Sequence, residues 1–159
     1  MRRRSIITTA LAASAALAVS PGIGAAAKSP KVTKLTCTLA MNAQGAPNPS
    51  GIHLGFATCP RPFGRGLHYN SYTVTPTAPG QGSIAARFKN YYDRGTAKGT
   101  AALTFTASSP ANITYTGTVT YTGGTGAFRR VRGRGTIECT SADGGAHKSC
   151  TVKSSLTGI

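Results

Sequence analysis

The most restrictive feature of the chain is a strict two-residue alternation over residues 112–124, NITYTGTVTYTGG. Threonine occupies every even position from 114 to 122, and the odd positions carry Ile113, Tyr115, Gly117, Val119 and Tyr121. Successive side chains of an extended strand point to opposite faces. The pattern therefore predicts a half-buried β-strand, with an apolar face towards a core and a threonine face towards water or a neighbouring strand.

Other segments support the same class of fold. Residues 95–108, GTAKGTAALTFTAS, alternate in the same way. Further strands are predicted at residues 32–41, 52–58, 67–75, 83–91, 128–140 and 148–157. Clusters of Gly, Pro, Asn and Asp separate them, and no window carries a long helical repeat. We therefore predict an all-β domain of about eight strands, whose regular spacing permits either a β-sandwich or an up-and-down β-barrel.

The N-terminus has the order of a secretory signal peptide. Three arginines at positions 2–4 precede an apolar stretch, and three alanines at positions 25–27 form a cleavage pattern. A membrane anchor fits less well, because a spanning helix needs about 20 mostly apolar residues and this run is shorter. We predict a signal peptide over residues 1–27, a single β-barrel domain over residues 28–159, and a secreted or cell-envelope protein with no transmembrane segment after cleavage. Export by the Sec or the twin-arginine route is left open.

Basic residues dominate the charge. The chain has a net charge of +15, and residues 28–159 keep +12 once the three arginines of the leader are removed. Such a charge draws a protein to an anionic polymer or an anionic envelope surface. The cations are spread from Lys28 to Lys153, so a role in solubility stays as open as a dedicated patch. We expect no specific nucleic-acid binding.

The four cysteines predict two disulfides, because an exported context favours cystine over metal or redox chemistry. The midpoint between Cys37 and Cys59 lies in the turn-forming string APNPSG, and the midpoint between Cys139 and Cys150 lies in ADGGAH. Residues equidistant from a hairpin turn face each other across antiparallel strands. We therefore predict Cys37 with Cys59 and Cys139 with Cys150. The competing pairing joins Cys37 to Cys150 across a closed barrel.

The glycine-rich stretch over residues 121–135, YTGGTGAFRRVRGRG, does not fit a nucleotide-binding loop. No Lys followed by Ser or Thr comes after its glycines, and Arg129 stands where a dinucleotide motif needs its third glycine. Glycine instead supplies the positive φ of tight hairpin turns. We predict such a turn at Gly123, Gly124, Thr125 and Gly126.

The strand predicted after this turn carries a row of arginines. Arg130, Arg132 and Arg134 share one parity, which we assign to solvent, and the opposite parity faces the core. Arginines spaced about 6.6 Å apart along a strand form a possible anion-binding stripe. The alternative is a charged face that discourages pairing between sheet edges.

The same stretch resembles a known signature. Residues 123–133, GGTGAFRRVRG, are similar to the G-G-T-G-x-F-x-x-A-x-G pattern of the dirigent proteins and the related allene oxide cyclases, with Val131 in place of the usual alanine. Residues 95–105, GTAKGTAALTF, are similar to a G-T-A-x-G strand of bacterial relatives. The resemblance covers mainly residues 95–140. It implies an eight-stranded antiparallel barrel with a central cavity.

No catalytic residue is assigned. Those families use polar residues inside the barrel, whereas the only acids here are Asp93, Glu138 and Asp143, and they form no carboxylate pair for acid–base work. The three histidines have no metal-ligand spacing, so no metal or cofactor is expected. We predict a non-enzymatic binding or structural protein that binds a small apolar ligand in the barrel or an anionic polymer outside it. The alternative is a cyclase-like or isomerase-like enzyme that acts on a small apolar ligand in the cavity.

Overall fold

Eight antiparallel strands make up almost all of the chain in the computed structural model, which describes residues 30–44 and 50–159. The strands are β1 Thr33–Gln44, β2 Ser50–Thr58, β3 Arg65–Ala78, β4 Gln81–Tyr92, β5 Gly95–Ala107, β6 Ile113–Gly124, β7 Arg132–Ser141 and β8 His147–Thr157. The predicted signal peptide, residues 1–27, lies outside the described residues, as do residues 46–49 of the predicted turn APNPSG, residues 46–51.

The sheet closes on itself. Each strand pairs with the next along the chain, and β8 pairs with β1 from Thr33 opposite Leu156 to Asn42 opposite His147. The all-β eight-stranded antiparallel barrel is therefore confirmed, and the sandwich alternative is wrong. Closure provides every strand with two partners, so no edge is left to pair with another chain.

The lower end of the barrel, where residues 125–131 join β6 to β7, is filled by an aromatic plug of Phe63, Tyr92 and Phe128. The rings of Phe63 and Phe128 stack with centroids 4.4 Å apart, and Tyr92 meets Phe128 edge-on at 5.7 Å. Phe128 is only 1% exposed. The wider opening lies at the other, upper end, where residues 142–146 join β7 to β8.

The predicted tight turn at Gly123–Gly126 is wrong in detail. Strand β6 runs on to Gly124, a 3-10 helix occupies Gly126–Phe128, and β7 begins only at Arg132. Gly126 has φ +56°, and a Cβ there would collide with the carbonyl oxygen of Arg94. The backbone N–H of Thr96 donates a hydrogen bond to the Thr125 hydroxyl at 3.1 Å. These contacts hold the connection against the β4–β5 turn and direct Phe128 into the barrel, which a two-residue turn could not do.

Two disulfides join the strands that the hairpin midpoints indicate. Cys37 is bonded to Cys59, and Cys139 to Cys150. Cys139 and Cys150 are direct partners in the β7–β8 ladder. The competing bond from Cys37 to Cys150 is excluded, because Cys150 lies opposite Leu39 in the β8–β1 ladder. Both cystines are consistent with an extracytoplasmic location.

Candidate ligand-binding site

Strands β2, β3 and β4 direct polar side chains inwards, contrary to the usual preference of a barrel core. His53, His68, Asn70 and Asn90 are all buried. Several of their sequence neighbours on the outer face are apolar and exposed, as are Leu54, Leu67 and Tyr91. A buried polar group is costly unless it is hydrogen-bonded, so the bonding of this cluster determines what it can do.

These side chains form one hydrogen-bonded chain along the inner wall. His53 Nδ1 lies 2.9 Å from Asn70 Oδ1, and Asn70 Nδ2 lies 2.9 Å from His68 Nε2. His68 Nδ1 lies 2.6 Å from Asn90 Oδ1, and Asn90 Nδ2 donates to the Tyr92 hydroxyl at 3.2 Å. The Tyr92 hydroxyl lies 3.6 Å from Cys59 Sγ and donates to it, because a disulfide sulfur carries no proton. The hydrogen-bonded series therefore extends from His53 to Tyr92, which belongs to the aromatic plug.

The amide orientations determine the protonation of both histidines. An amide oxygen accepts and an amide nitrogen donates, so His53 and His68 each carry a proton on Nδ1 and present Nε2 as an acceptor. Every donor in the series then points towards Tyr92. A second proton on either ring would remove the acceptor that its neighbour needs.

Lys148 lies at the upper end of this hydrogen-bonded series of side chains. Its Nζ lies 2.8 Å from His53 Nε2 and donates to the Gly145 carbonyl oxygen. Its side chain is 8% exposed, and the amine lies 5.4 Å from the centre of the Tyr115 ring. Among the described residues, no carboxylate lies within 4.0 Å of this amine. Lys148 is therefore a buried amine with hydrogen-bond acceptors on His53 and Gly145 but with no direct salt bridge among the described residues.

Burial governs the titration of this cluster. Desolvation, followed by the positive charge of Lys148, lowers the pKa of His53 to about 4. Burial also lowers the pKa of His68. Desolvation lowers the pKa of Lys148 to about 8, although the charge of Asp143 opposes that shift. At neutral pH both histidines are neutral and most Lys148 amines are protonated.

The barrel is expected to lose stability as the pH falls from about 6.5 to about 4. The unfolded chain takes up protons on its histidines in that window, whereas the folded barrel keeps His53 neutral. The loss from His53 alone is roughly 3 kcal/mol. Urea unfolding followed by circular dichroism at several pH values measures it. His53→Gln should flatten the slope of stability against pH, and an equal slope in this variant and in the unsubstituted protein would refute this account.

The cluster borders two spaces that share lining residues. A small cavity of about 50 Å³ lies inside the barrel, and a wider mouth of about 560 Å³ opens at the upper end. Both are lined by His53, Tyr72, Ile84, Tyr115 and Lys148. The cavity holds only a few water molecules, at about 10–15 Å³ each. The mouth lies within the range of sites for small organic molecules, roughly 300–1,000 Å³.

The mouth is mostly apolar around its single buried amine. Val74, Pro76, Phe105 and Ile113 line it together with the residues shared with the cavity. The ring of Tyr72 stacks on the His53 imidazole with centroids 4.3 Å apart. Asp143 is also at the rim, but it accepts hydrogen bonds from Ser141 Oγ at 2.8 Å and from the backbone N–H of His147 at 2.9 Å. These bonds, with the His147 side chain, hold the pKa of Asp143 well below its usual range.

The residues singled out in the sequence lie away from this site. Arg130 precedes β7, and Arg132 and Arg134 are exposed on the outside of that strand. Arg134 and Lys153 line the same outer groove on β7 and β8. The arginine stripe is thus on the outer surface, and anion binding by it stays a prediction. The Gly123–Gly126 motif belongs to the lower end, opposite the mouth.

Comparisons with known proteins do not assign the chain to a family. No family model matches the chain, and no curated protein matches it. Among solved structures, a pyocyanin demethylase is similar at 15% identity with a TM-score of 0.43, over 78% of this chain and 99% of that one. A likeness this weak carries no argument about function.

Neither a spanning helix nor a metal cluster is found among the described residues, 30–44 and 50–159. No helix in this part of the chain is long and apolar enough to cross a membrane. No group of three or more His, Cys, Asp or Glu in the same part is placed as a metal site.

The sequence patterns did not identify His53, His68 and Lys148 as one cluster. A usable signal was present, because Cys59 and His53 have the same parity and cysteine is among the residue types most often buried. That parity places His53 inside, as the structure shows. Lys148 has the parity of Cys150 in the same way. The contact between His53 on β2 and Lys148 on β8, however, depends on closure of the barrel.

Proposed function

We propose that this protein is a non-enzymatic binding protein that holds a small planar apolar molecule, with one anionic group, in the upper mouth of the barrel. The observation that carries the proposal is Lys148, a buried amine at the base of an apolar mouth that makes no direct salt bridge among the described residues. Burying a cation without a partner is unfavourable. A carboxylate, phenolate or sulfonate of the ligand supplies the missing charge, and the aromatic side chains contact the apolar body.

The hydrogen bonding of the interior favours binding over acid–base catalysis. Both ring nitrogens of His53 and of His68 are already engaged, so neither ring is free to exchange a proton with a ligand. Glu138 is on the exposed face of β7, and Asp93 lies in the β4–β5 turn. Lys148, which has three N–H donors and uses two, has one left for a ligand.

The family hypothesis is compatible with this proposal. The closed barrel agrees with the fold that the resemblance to allene oxide cyclases and dirigent proteins implies. The motif that carries the resemblance builds the lower end, where Phe128 is buried. It therefore supports a shared way of closing the barrel, and the activity of those families is not carried over to this chain.

Replacing Lys148 with methionine is expected to weaken binding of 8-anilinonaphthalene-1-sulfonate, an aromatic anion, by about 10- to 100-fold at pH 7. The physical reason is the loss of one charge-assisted hydrogen bond, worth about 1.5–3 kcal/mol. Fluorescence titration of the folded protein measures the dissociation constant. Binding to the unsubstituted protein should also weaken as the pH rises through about 8, because Lys148 loses its charge there.

Two matched controls make this test specific. Lys153→Met removes an exposed lysine from the same strand and should leave the dissociation constant unchanged. The uncharged probe N-phenyl-1-naphthylamine should bind both variants equally. Equal binding of the anionic probe to Lys148→Met and to the unsubstituted protein would falsify the proposed site. Native mass spectrometry of the secreted protein, with and without reductant, would then show whether any small molecule is retained.

A further inference from the structure

The outer surface of β2, β3 and β4 carries an unusual concentration of apolar side chains. Among the described residues, six large hydrophobic side chains are exposed, and all but Val32 are on these three strands. We call the five the outer apolar patch: Leu54, Phe56, Leu67, Tyr69 and Tyr91, each between 37% and 57% exposed. The outer face of β6 instead carries threonine at each even position from 114 to 122.

The patch is continuous. Leu54 lies opposite Tyr69, and Phe56 opposite Leu67, in the β2–β3 ladder. Leu67 in turn lies opposite Tyr91 in the β3–β4 ladder. Directly opposed residues of neighbouring strands have Cβ atoms about 4.5–5.5 Å apart, so the five side chains form one surface. Contiguous exposed apolar surface of this kind marks an interaction site.

Cations stand within and beside the patch. The Arg65 guanidinium lies 4.6 Å from the centre of the Phe56 ring, and Lys89 Nζ lies 4.8 Å from the centre of the Tyr91 ring. Lys98 is paired with Lys89 on the same outer face. The nearest acid along β4 is Asp93, in the turn that follows Tyr91. The surface thus combines leucine, phenylalanine and tyrosine with a local excess of positive charge.

We propose that the outer apolar patch is a peripheral docking surface for an anionic phospholipid bilayer. Tyrosine and phenylalanine insert at the boundary between headgroups and acyl chains, and neighbouring lysine and arginine contact anionic headgroups. On such a bilayer the apolar side chains are removed from water, and the cations contact negatively charged headgroups. The docking face is on the side wall of the barrel, so the mouth that holds Lys148 is left free.

Two other occupants fit the surface less well. A second copy of this chain would bring Arg65, Lys89 and Lys98 close to the same cations of its partner, in a protein whose residues 28–159 already carry +12. An anionic polysaccharide would use the cations but would leave Leu54, Phe56 and Leu67 exposed to water. An anionic bilayer is the partner that contacts both the apolar side chains and the cations.

Co-sedimentation with vesicles tests the proposal on protein comprising residues 28–159, which contains the whole closed barrel. Equimolar phosphatidylglycerol and phosphatidylcholine vesicles should bind the protein, and pure phosphatidylcholine vesicles should bind it at least 10-fold more weakly. The double variant Phe56→Ser, Leu67→Ser should reduce partitioning onto the mixed vesicles by at least 10-fold, because two side chains no longer enter the apolar region. Thermal unfolding of the variant checks that these exposed substitutions leave the barrel folded.

A pair of charge variants separates a docking face from general attraction. Arg65→Gln with Lys89→Gln removes two charges from the patch and should weaken vesicle binding about 10-fold or more. Arg134→Gln with Lys153→Gln removes the same net charge from the opposite wall of the barrel. This pair should change vesicle binding by about 3-fold at most. Equal losses in both pairs would overturn the proposal in favour of delocalised electrostatics. Binding to dextran sulfate but not to vesicles would overturn it in favour of a polymer, and a dimer that Leu67→Ser dissociates would overturn it in favour of a second copy.

Discussion

Replacing Phe128 with alanine is expected to lower the free energy of unfolding by about 4 kcal/mol, the typical cost of removing a fully buried aromatic ring. The ring is 1% exposed and packs between Phe63 and Tyr92 at the lower end of the barrel. Its removal leaves a cavity beneath a connection that Thr125 and Gly126 hold in place, so the wall has little freedom to collapse into it. Guanidinium unfolding at pH 7 measures the change.

Phe56→Ala is the matched control. It removes the same ring from a position that is 45% exposed, and the cost should stay below about 1 kcal/mol, since surface substitutions are usually small. If the two variants were equally stable, the lower end would not depend on the plug, and the glycine-rich motif would have no structural role in closing the barrel.

Removing both disulfides is expected to cost about 6 kcal/mol in total. The bond Cys37–Cys59 closes a loop with a sequence separation of 22, and the bond Cys139–Cys150 closes one of 11. Each bond restricts the unfolded chain and contributes about 3 kcal/mol by loop entropy. Because domains of this size are stable by only about 5–15 kcal/mol, a large share of the stability depends on the two bonds. Guanidinium unfolding with and without reductant measures the total loss in the free energy of unfolding.

Single-bond variants show how that cost is divided. Replacing Cys37 and Cys59 with alanine should destabilise the barrel by slightly more than replacing Cys139 and Cys150, because the longer loop loses more entropy. Cys37–Cys59 also accepts the hydrogen bond from Tyr92, so its loss disturbs the lower end of the polar chain. A reduced protein that unfolds at the same guanidinium concentration as the oxidised protein contradicts the prediction.

The site and the patch were harder to predict than the fold because they depend on orientation. In residues 67–72, LHYNSY, the alternation is plain, but the pattern does not say which parity faces inwards. A rule that puts apolar residues inside would place Leu67 and Tyr69 in the core. In the structure, His68 and Asn70 face the interior, and Leu67 and Tyr69 are exposed. The interior tolerates the two polar side chains because each has a hydrogen-bond partner on a neighbouring strand.

The class of fold, the number of strands and the disulfide pairs could be predicted from sequence alone. Each of these follows from local order, namely two-residue periodicity, turn residues between strands, and cysteines equidistant from a turn. Two contacts could not be predicted in this way: Lys148 meets His53 across a sequence separation of 95, and Phe128 packs into the lower end of the barrel. Those contacts arise when β8 pairs with β1 and the sheet closes, because closure brings residues from distant strands to face each other across one small interior.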